Sequence, residues 1–228
     1  DEAVGAMTTG GTESVIQALQ TCRDWNRARR REPGHRGNIV LPETAHPAFD
    51  KGARLMDLPV RRVPVRADLS MDVAGMEAAI DEDTILIVGS APNFPFGMID
   101  PIAELSELAL RRGVWLHVDA CVGGYLAPFA RQIGRDIPDF DFSLPGVMSL
   151  SADLHKFGFC PKPASAIYDE NDIVMVTPAA TNDAITAGGM KTVFRTIGKD
   201  SQQGPTAGRF IVSLLKPKAL AILKAAGP

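Results

Sequence analysis

Two side chains that follow strand-like segments could together support imine chemistry. Lys156 lies in the segment 151–158, and Asp119 closes the earlier segment 117–119. An amine among small and apolar residues is partly desolvated, so we expect the pKa of Lys156 to be lowered and the amine to form an imine readily. A carboxylate about 4 Å from a protonated pyridine nitrogen, at an effective dielectric constant near 20, stabilises that charge by about 4 kcal/mol. The pair predicts a site for pyridoxal phosphate, although a solvated surface lysine and a capping aspartate remain alternatives for these residues taken singly.

A glycine-rich helix start is the predicted site for the phosphate group. Residues 8–14 open the first long helix, where unpaired amides meet the positive end of the helix dipole. Gly11 lets an anion approach the backbone, and the Thr12 hydroxyl could both cap the helix and bind a phosphate oxygen. His155 could donate to the phosphate from the opposite side. A plain turn with a helix cap is the alternative.

Two loops could complete the site. His46 precedes Pro47 in a loop between a strand and a helix, and its imidazole could stack on a flat heteroaromatic ring. Ser90 and Asn93 lie in a proline-rich loop after a buried strand and could hydrogen-bond to a ligand. The alternatives are a capping or exposed histidine and a simple turn.

The elements that must position these residues alternate between helices and strands. Helical spacing predicts helices over 12–31, 48–56 and 101–112, with a further helix that Asp72 can cap. Apolar runs predict strands over 38–42, 60–65, 84–89, 114–118 and 147–151, and a strand at 165–168 could pair beside the last. We therefore predict an α/β fold with a mostly parallel sheet flanked by helices, in which ligands bind at the carboxyl ends of the strands. The predicted domains are a cofactor-binding large domain over 1–168 and a less periodic C-terminal segment over 169–228, which is the end of the large domain or a truncated tail.

Composition fits one large soluble domain and excludes several classes of partner. The chain has 228 residues, of which 45% are hydrophobic and 22% charged, and its net charge of −3 gives no footprint for nucleic acid. Cys22, Cys121 and Cys160 lack the spacing of metal ligands, so no metal site is predicted and a reducing compartment is favoured. No leader or membrane-spanning run is recognisable, which predicts a soluble, cytoplasmic protein.

Five motifs in order resemble the fold-type I, group II pyridoxal-phosphate decarboxylase superfamily and, within it, the sphingosine-1-phosphate lyase family. The resemblance runs from about residue 4 to residue 162. The motifs are Met7-Thr8-Thr9-Gly10-Gly11-Thr12-Glu13-Ser14, Ala45-His46-Pro47-Ala48-Phe49-Asp50-Lys51, Gly89-Ser90-Ala91-Pro92-Asn93-Phe94-Pro95, His117-Val118-Asp119-Ala120-Cys121-Val122-Gly123-Gly124 and Ser151-Ala152-Asp153-Leu154-His155-Lys156.

This resemblance implies a role for each matching residue. Lys156 would carry the cofactor as a Schiff base, Asp119 would face the pyridine nitrogen, and His46 would stack on the ring. Lys162 matches a second family lysine, which would assist proton movement or hold the substrate phosphate. The residues implied for the cofactor phosphate are Gly11, Thr12 and His155. A homodimer with sites at the interface is also implied.

The implied reaction is cleavage of a phosphorylated sphingoid base into a fatty aldehyde and phosphoethanolamine. A pyridoxal-phosphate-dependent amino-acid decarboxylase uses the same electron sink and remains an alternative, although the 90–95 loop and the paired Lys156 and Lys162 favour the lyase. A third possibility is an inactive truncated remnant that binds only cofactor or a partner.

The chain also departs from the family pattern. Pro163 stands where the family usually has glycine after the second lysine, and it removes a backbone donor. The segment 205–209 matches the family poorly, so no role is predicted for Arg209. The family's smaller C-terminal domain and its N-terminal segment have no counterpart, and we expect a fragment or a truncated gene product with an incomplete large domain.

Overall fold

A seven-stranded sheet forms the centre of the computed structural model, which describes residues 4–169, 175–177 and 193–195. Its strands, in chain order, are β1 (Val4–Thr8), β2 (Asn38–Pro42), β3 (Val60–Val63), β4 (Thr84–Ser90), β5 (Trp115–Asp119), β6 (Val147–Ala152) and β7 (Ser165–Asp169). Their order across the sheet is β1-β7-β6-β5-β4-β2-β3. Pairing is parallel from β3 through β6, and β7 runs antiparallel to both β6 and β1. The prediction of a mostly parallel α/β sheet is confirmed.

Helices cover both faces of this sheet. They are α1 (Gly11–Arg30), α2 (Ala48–Leu55), α3 (Val73–Ala79), α4 (Ile102–Arg112) and α5 (Ala127–Gln132). Successive side chains of a strand point to opposite faces of the sheet. Because helices cover both faces, every residue of β4 is buried. Ile87 packs in one core with Leu105 of α4, while Leu86 packs in a second core with Leu19 of α1. This two-sided burial explains why the parallel strands are almost continuously apolar.

Several local features differ from the sequence-based expectation. The strand β1 and the short helix α5 were not predicted, and β3 ends at Val63 rather than at residue 65. Asp72 occupies the N-cap position of α3 without a capping hydrogen bond from its side chain, and its carboxylate lies 3.8 Å from Arg66. Thr12 lies inside the first turn of α1 and does not cap it, because Gly10 is the N-cap residue.

After β7, the structure describes only residues 175–177 and 193–195. Two short parallel strands, β8 (Met175–Thr177) and β9 (Val193–Arg195), form a separate pair. Arg209 lies outside the described residues, and the domain boundary at residue 168 stays a prediction. Among the helices in the described ranges, none has the length and apolar character needed to cross a bilayer.

Candidate functional site

The carboxyl ends of the central strands open onto a cavity of about 200 Å³. Parallel pairing places Ser90 beside Asp119 and Asp119 beside Ser151, so that the loops after three strands emerge together. The start of α1 and the loop after β2 close the cavity. It is lined by Gly11, Thr12, Val15, His46, Pro92, Phe94, Asp119, Cys121, Val122, Asp153, His155 and Lys156. Six of the predicted site residues therefore meet in one cavity, although they come from four separate segments of the chain.

Lys156 reaches this cavity and pairs there with a buried carboxylate. Its Nζ lies 3.0 Å from Oδ2 of Asp153, and the two side chains are 36% and 2% exposed. Burial alone lowers the pKa of Lys156, but the hydrogen bond to Asp153 and the negative charges nearby outweigh it, and the pKa is raised. The expectation of a lowered pKa is thus wrong for the site without a ligand. Asp153 was not predicted as a site residue, although a carboxylate three residues before a lysine is a signal that the sequence contains.

Asp119 closes β5 and is half-buried at the cavity wall. Its Oδ1 accepts a hydrogen bond from the backbone N–H of Cys121 at 3.1 Å. This bond stabilises the turn after β5. It does not cap a helix, because the next helix begins at Ala127 with Leu126 as its N-cap residue. The same carboxylate also lines the cavity.

The start of α1 provides a cradle for an anion. The first bond within the helix is donated by the backbone N–H of Ser14 to the carbonyl oxygen of Gly10, at 3.1 Å. The amides of Gly11 and Thr12 precede this bond, so they have no acceptor within the helix. A Cβ added at Gly11 would lie 2.9 Å from both carboxylate oxygens of Asp153. The cradle therefore requires glycine at this position.

His155 lies on the opposite side of this cradle. Its Nδ1 accepts a hydrogen bond from the backbone N–H of Ala164 at 3.1 Å, so Nε2 carries the proton in the neutral ring. Nε2 lies 3.5 Å from Oδ2 of Asp153. The imidazole can therefore present an N–H group at the end of the cavity near Gly11.

His46 lines the cavity from the loop before α2. Its Nδ1 accepts a hydrogen bond from the backbone N–H of Ala48 at 3.1 Å, which fixes the ring. The rings of His46 and Phe94 meet edge to face, with centroids 5.1 Å apart. His46 thus bonds to the first amide of α2, although Pro47 is the N-cap residue of that helix. Its side chain also lines the cavity, and stacking on a bound ring stays a prediction.

Ser90 and Asn93 are placed differently from the prediction. Both are buried, at 2% and 1% exposure, and neither lines the cavity. The backbone N–H of Ser90 donates to Asp100 at 2.7 Å, and the side-chain amide of Asn93 donates to Asp100 at 3.4 Å. Oδ1 of Asn93 accepts from the backbone N–H of Phe96. The structure shows that both residues stabilise the loop after β4 through these hydrogen bonds, and a direct contact with a ligand stays a prediction.

Lys162 borders a second and more open cavity of about 430 Å³. This cavity also reaches Glu13 and Ile16, and it shares Gly11, Thr12 and His155 with the first one. Lys156 and Lys162 therefore line two neighbouring cavities that share the start of α1.

A buried polar network forms the floor below the cavity. The Ser149 hydroxyl accepts the indole N–H of Trp115 at 2.8 Å and pairs with Nδ1 of His117 at 2.8 Å. Nε2 of His117 lies 3.3 Å from the Ser151 hydroxyl, which also accepts from the Cys121 thiol at 3.4 Å. Burial lowers the pKa of His117 to about 4, against the opposing effect of Asp119, so the ring is neutral at physiological pH. The alternation of Ser149 and Ser151 along β6 was the available signal for this network.

The residues fit pyridoxal phosphate. The cavity lining combines the amides at the start of α1 and a histidine, which suit a phosphate, with a carboxylate that suits a protonated ring nitrogen and an amine that suits an aldehyde. The side chain of His46 offers a flat surface on the same cavity. The phosphate, the ring nitrogen and the aldehyde of the cofactor thus each have a chemically matching group in this chain.

Comparison with known proteins identifies the family. The "Pyridoxal-dependent decarboxylase conserved domain" matches residues 1–179. The chain belongs to this family, which confirms the resemblance and, at the level of the family, the predicted cofactor.

Individual relatives include both lyases and decarboxylases. The chain is 47% identical over 167 residues to a sphingosine-1-phosphate lyase of Oryza sativa, covering 73% of this chain and 31% of that protein. It is 43% identical over 165 residues to a probable L-tyrosine/L-aspartate decarboxylase of Methanosarcina acetivorans, covering 72% and 41%. The structure of a Burkholderia pseudomallei sphingosine-1-phosphate lyase is similar with a TM-score of 0.71 and 44% identity, covering 74% of this chain and 38% of the other. The chain thus spans well under half the length of these relatives.

Proposed function

We propose that this chain contributes the cofactor site of a pyridoxal-phosphate-dependent lyase. The reaction would cleave a phosphorylated sphingoid base between its amino carbon and hydroxyl carbon, releasing a fatty aldehyde and phosphoethanolamine. The observation that carries the proposal is the single cavity in which Lys156, Asp119 and His46 meet the free amides at the start of α1. Identities of 47% and 44% to sphingosine-1-phosphate lyases support the choice of reaction.

Each residue has a role that its position allows. The bound cofactor supplies an electron-accepting ring. The carboxylate of Asp119 would keep a proton on the ring nitrogen, and the imidazole of His46 would stack on the ring. The Nζ of Lys156 would hold the cofactor through its aldehyde, and this amine would take up and return protons during the reaction. The groups that would hold the phosphate are the amides of Gly11 and Thr12, the Thr12 hydroxyl and Nε2 of His155.

Lys162 is the group we assign to the substrate phosphate or to proton movement. It borders the cavity of about 430 Å³ that joins the cofactor cavity at the α1 start. An ammonium there can attract a phosphate that lies beyond the reacting carbons. Pro163 follows directly and offers no backbone N–H to the same phosphate.

We also propose a homodimer and a reducing compartment such as the cytoplasm. Phe157 and Phe159 flank the lysine loop and are 43% and 87% exposed, which suits burial against a second chain. The free cysteines Cys22, Cys121 and Cys160 suit a reducing environment. Sedimentation equilibrium measures the oligomeric state, and a monomer at micromolar concentration would contradict the dimer.

A decarboxylase is the second candidate, because the archaeal relative is 43% identical over a similar span. Product analysis separates the candidates. The protein is supplied with a phosphorylated sphingoid base or with L-tyrosine and L-aspartate, and aldehyde and carbon dioxide are measured. Aldehyde supports the lyase and carbon dioxide supports the decarboxylase. Cofactor binding without either product would support the inactive remnant.

Reductive labelling tests the cofactor site itself. The protein is incubated with pyridoxal phosphate, reduced with borohydride and digested, and the modified lysine is identified by mass spectrometry. We expect label on Lys156, and Lys156→Ala should abolish it while Lys51→Ala at an exposed position of α2 should not. Label that persists in Lys156→Ala, or that concentrates on another lysine, would refute the assignment.

A further inference from the structure

Asp153 is a buried carboxylate that the proposed reaction does not use. Its side chain is 2% exposed, and Oδ2 contacts Nζ of Lys156 at 3.0 Å and Nε2 of His155 at 3.5 Å. Within the part of the chain that the structure describes, Oδ1 is buried and has no hydrogen-bond partner. The carboxylate packs directly against Gly11, where an added Cβ would lie 2.9 Å from both oxygens.

A buried anion of this kind depends on its counter-charge. Removing a carboxylate from water costs several kcal/mol unless a cation or hydrogen-bond donors replace the lost solvent. His155 is further away, and its Nδ1 is already engaged by Ala164. The ammonium of Lys156 is therefore the closest group that compensates Asp153.

Two other groups that line the cavity add to the effect of Asp153 on Lys156. The titratable side chains that line the cavity with it are His46, Asp119, Cys121, Asp153 and His155. Interactions with Cys121, Asp153 and Asp119 raise the pKa of Lys156, against the effect of burial. Asp153 is the one of these that makes a hydrogen bond to Nζ.

We propose that Asp153 is a positioning residue that holds Lys156 as an ammonium in the cavity and thereby controls when this amine can react with an aldehyde. Attack on a carbonyl requires an uncharged amine, so Nζ must first lose a proton to solvent. The contact with the buried carboxylate of Asp153 opposes that loss.

The inference rests on the proposed function only for the identity of the aldehyde, because the contact between Lys156 and Asp153 involves only residues of this chain. Its test accordingly uses no cofactor. The probe is acetic anhydride, which modifies uncharged amines, and the acetylation rates of Lys156 and of the exposed Lys51 are followed in the same sample by peptide mass spectrometry. In the unmodified protein we expect the midpoint of the pH profile for Lys156 to lie above that for Lys51. A midpoint equal to or below that of Lys51 would overturn the proposal without any variant.

Asp153→Asn then removes the charge while preserving the shape. At about pH 8 the acetylation rate of Lys156 relative to Lys51 should rise at least about threefold. The matched control is Asp57→Asn, which breaks an exposed pair with Arg36 and should leave the ratio unchanged. Asp153→Glu keeps the charge and should return the ratio toward the starting value. An unchanged ratio in folded Asp153→Asn, as judged by circular dichroism, would overturn the role of Asp153, whereas failure of the labelling by pyridoxal phosphate would overturn only the proposed function.

Discussion

Asp100 offers a prediction whose size can be worked out from the structure. It lies in the loop after β4 and is 2% exposed. Burial raises the pKa of its carboxyl to about 6, against the opposing hydrogen bonds from Ser90 and Asn93, and the charge of Asp119 adds to the rise. Phe94 of the same loop lines the cavity, so the ionisation of Asp100 affects a loop that forms part of the site.

The free energy follows from the difference between the folded and unfolded pKa values of Asp100. One pKa unit corresponds to about 1.4 kcal/mol, so a rise from the ordinary 3.8 to about 6 is worth about 3 kcal/mol. The folded state binds the proton more tightly than the unfolded state. This contribution to stability is therefore complete below about pH 3.8 and is lost as the pH rises through about 6. About 2 kcal/mol of the loss falls between about pH 4.5 and about pH 7.5.

The perturbation is Asp100→Asn, and the assay is urea unfolding of the variant and the original protein at intervals across this pH range. The difference in the free energy of unfolding should move in favour of the variant by about 2 kcal/mol from the acidic to the neutral end. Any cost of replacing a carboxylate by an amide near Asn93 is independent of pH, so it shifts the difference in unfolding free energy by the same amount at every pH. Only the change of this difference with pH reports the ionisation of Asp100.

Asp81→Asn is a control whose own pH dependence lies outside this range. Hydrogen bonding from Asn38 and the pairing with Arg61 lower the pKa of Asp81 below its ordinary 3.8, against its desolvation. Its contribution to stability is lost only as the pH falls below about 3.8, so the difference for Asp81→Asn should stay nearly flat between about pH 4.5 and about pH 7.5. A difference for Asp100→Asn that is as flat as that of Asp81→Asn, or that moves against the variant toward neutral pH, would refute the reasoning about Asp100.

Two further predictions concern the cofactor. In Gly11→Ala the new Cβ would lie 2.9 Å from the buried carboxylate of Asp153. The dissociation constant for pyridoxal phosphate, measured by absorbance titration, should therefore rise at least about tenfold, which is a loss of about 1.4 kcal/mol in binding free energy. Gly34→Ala, with nothing within 4 Å, is the matched control and should bind normally. Asp119→Asn removes an electrostatic stabilisation of about 4 kcal/mol, so product formation should fall at least about a hundredfold while reductive labelling of Lys156 persists. Retained turnover in Asp119→Asn would contradict the role of its carboxylate.

Local patterns were enough to predict most of the sheet and its helices. The apolar runs of β4 and β5 and the helical spacing of α1 and α4 follow from side-chain periodicity, which depends only on nearby residues. The strand β1 was missed because its five residues contain Gly5 and carry no clear alternation. Its pairing with β7 joins residues that are far apart along the chain, which a local pattern does not record.

The sequence by itself predicted the amine, the carboxylate and the glycine-rich helix start, because those residue types define the chemistry and their motifs are contiguous. Tertiary structure decided what surrounds them. It buried Ser90 and Asn93 beside Asp100, which accepts from the backbone N–H of Ser90 and the side-chain amide of Asn93. It also placed Asp153 against both Lys156 and Gly11. Partner choice and desolvation depend on how the chain folds and packs. Burial lowers the pKa of Lys156, but the hydrogen bond to Asp153, three residues before it, and the charges of Cys121 and Asp119 from a separate segment raise the pKa, and the residue types alone do not fix these contacts.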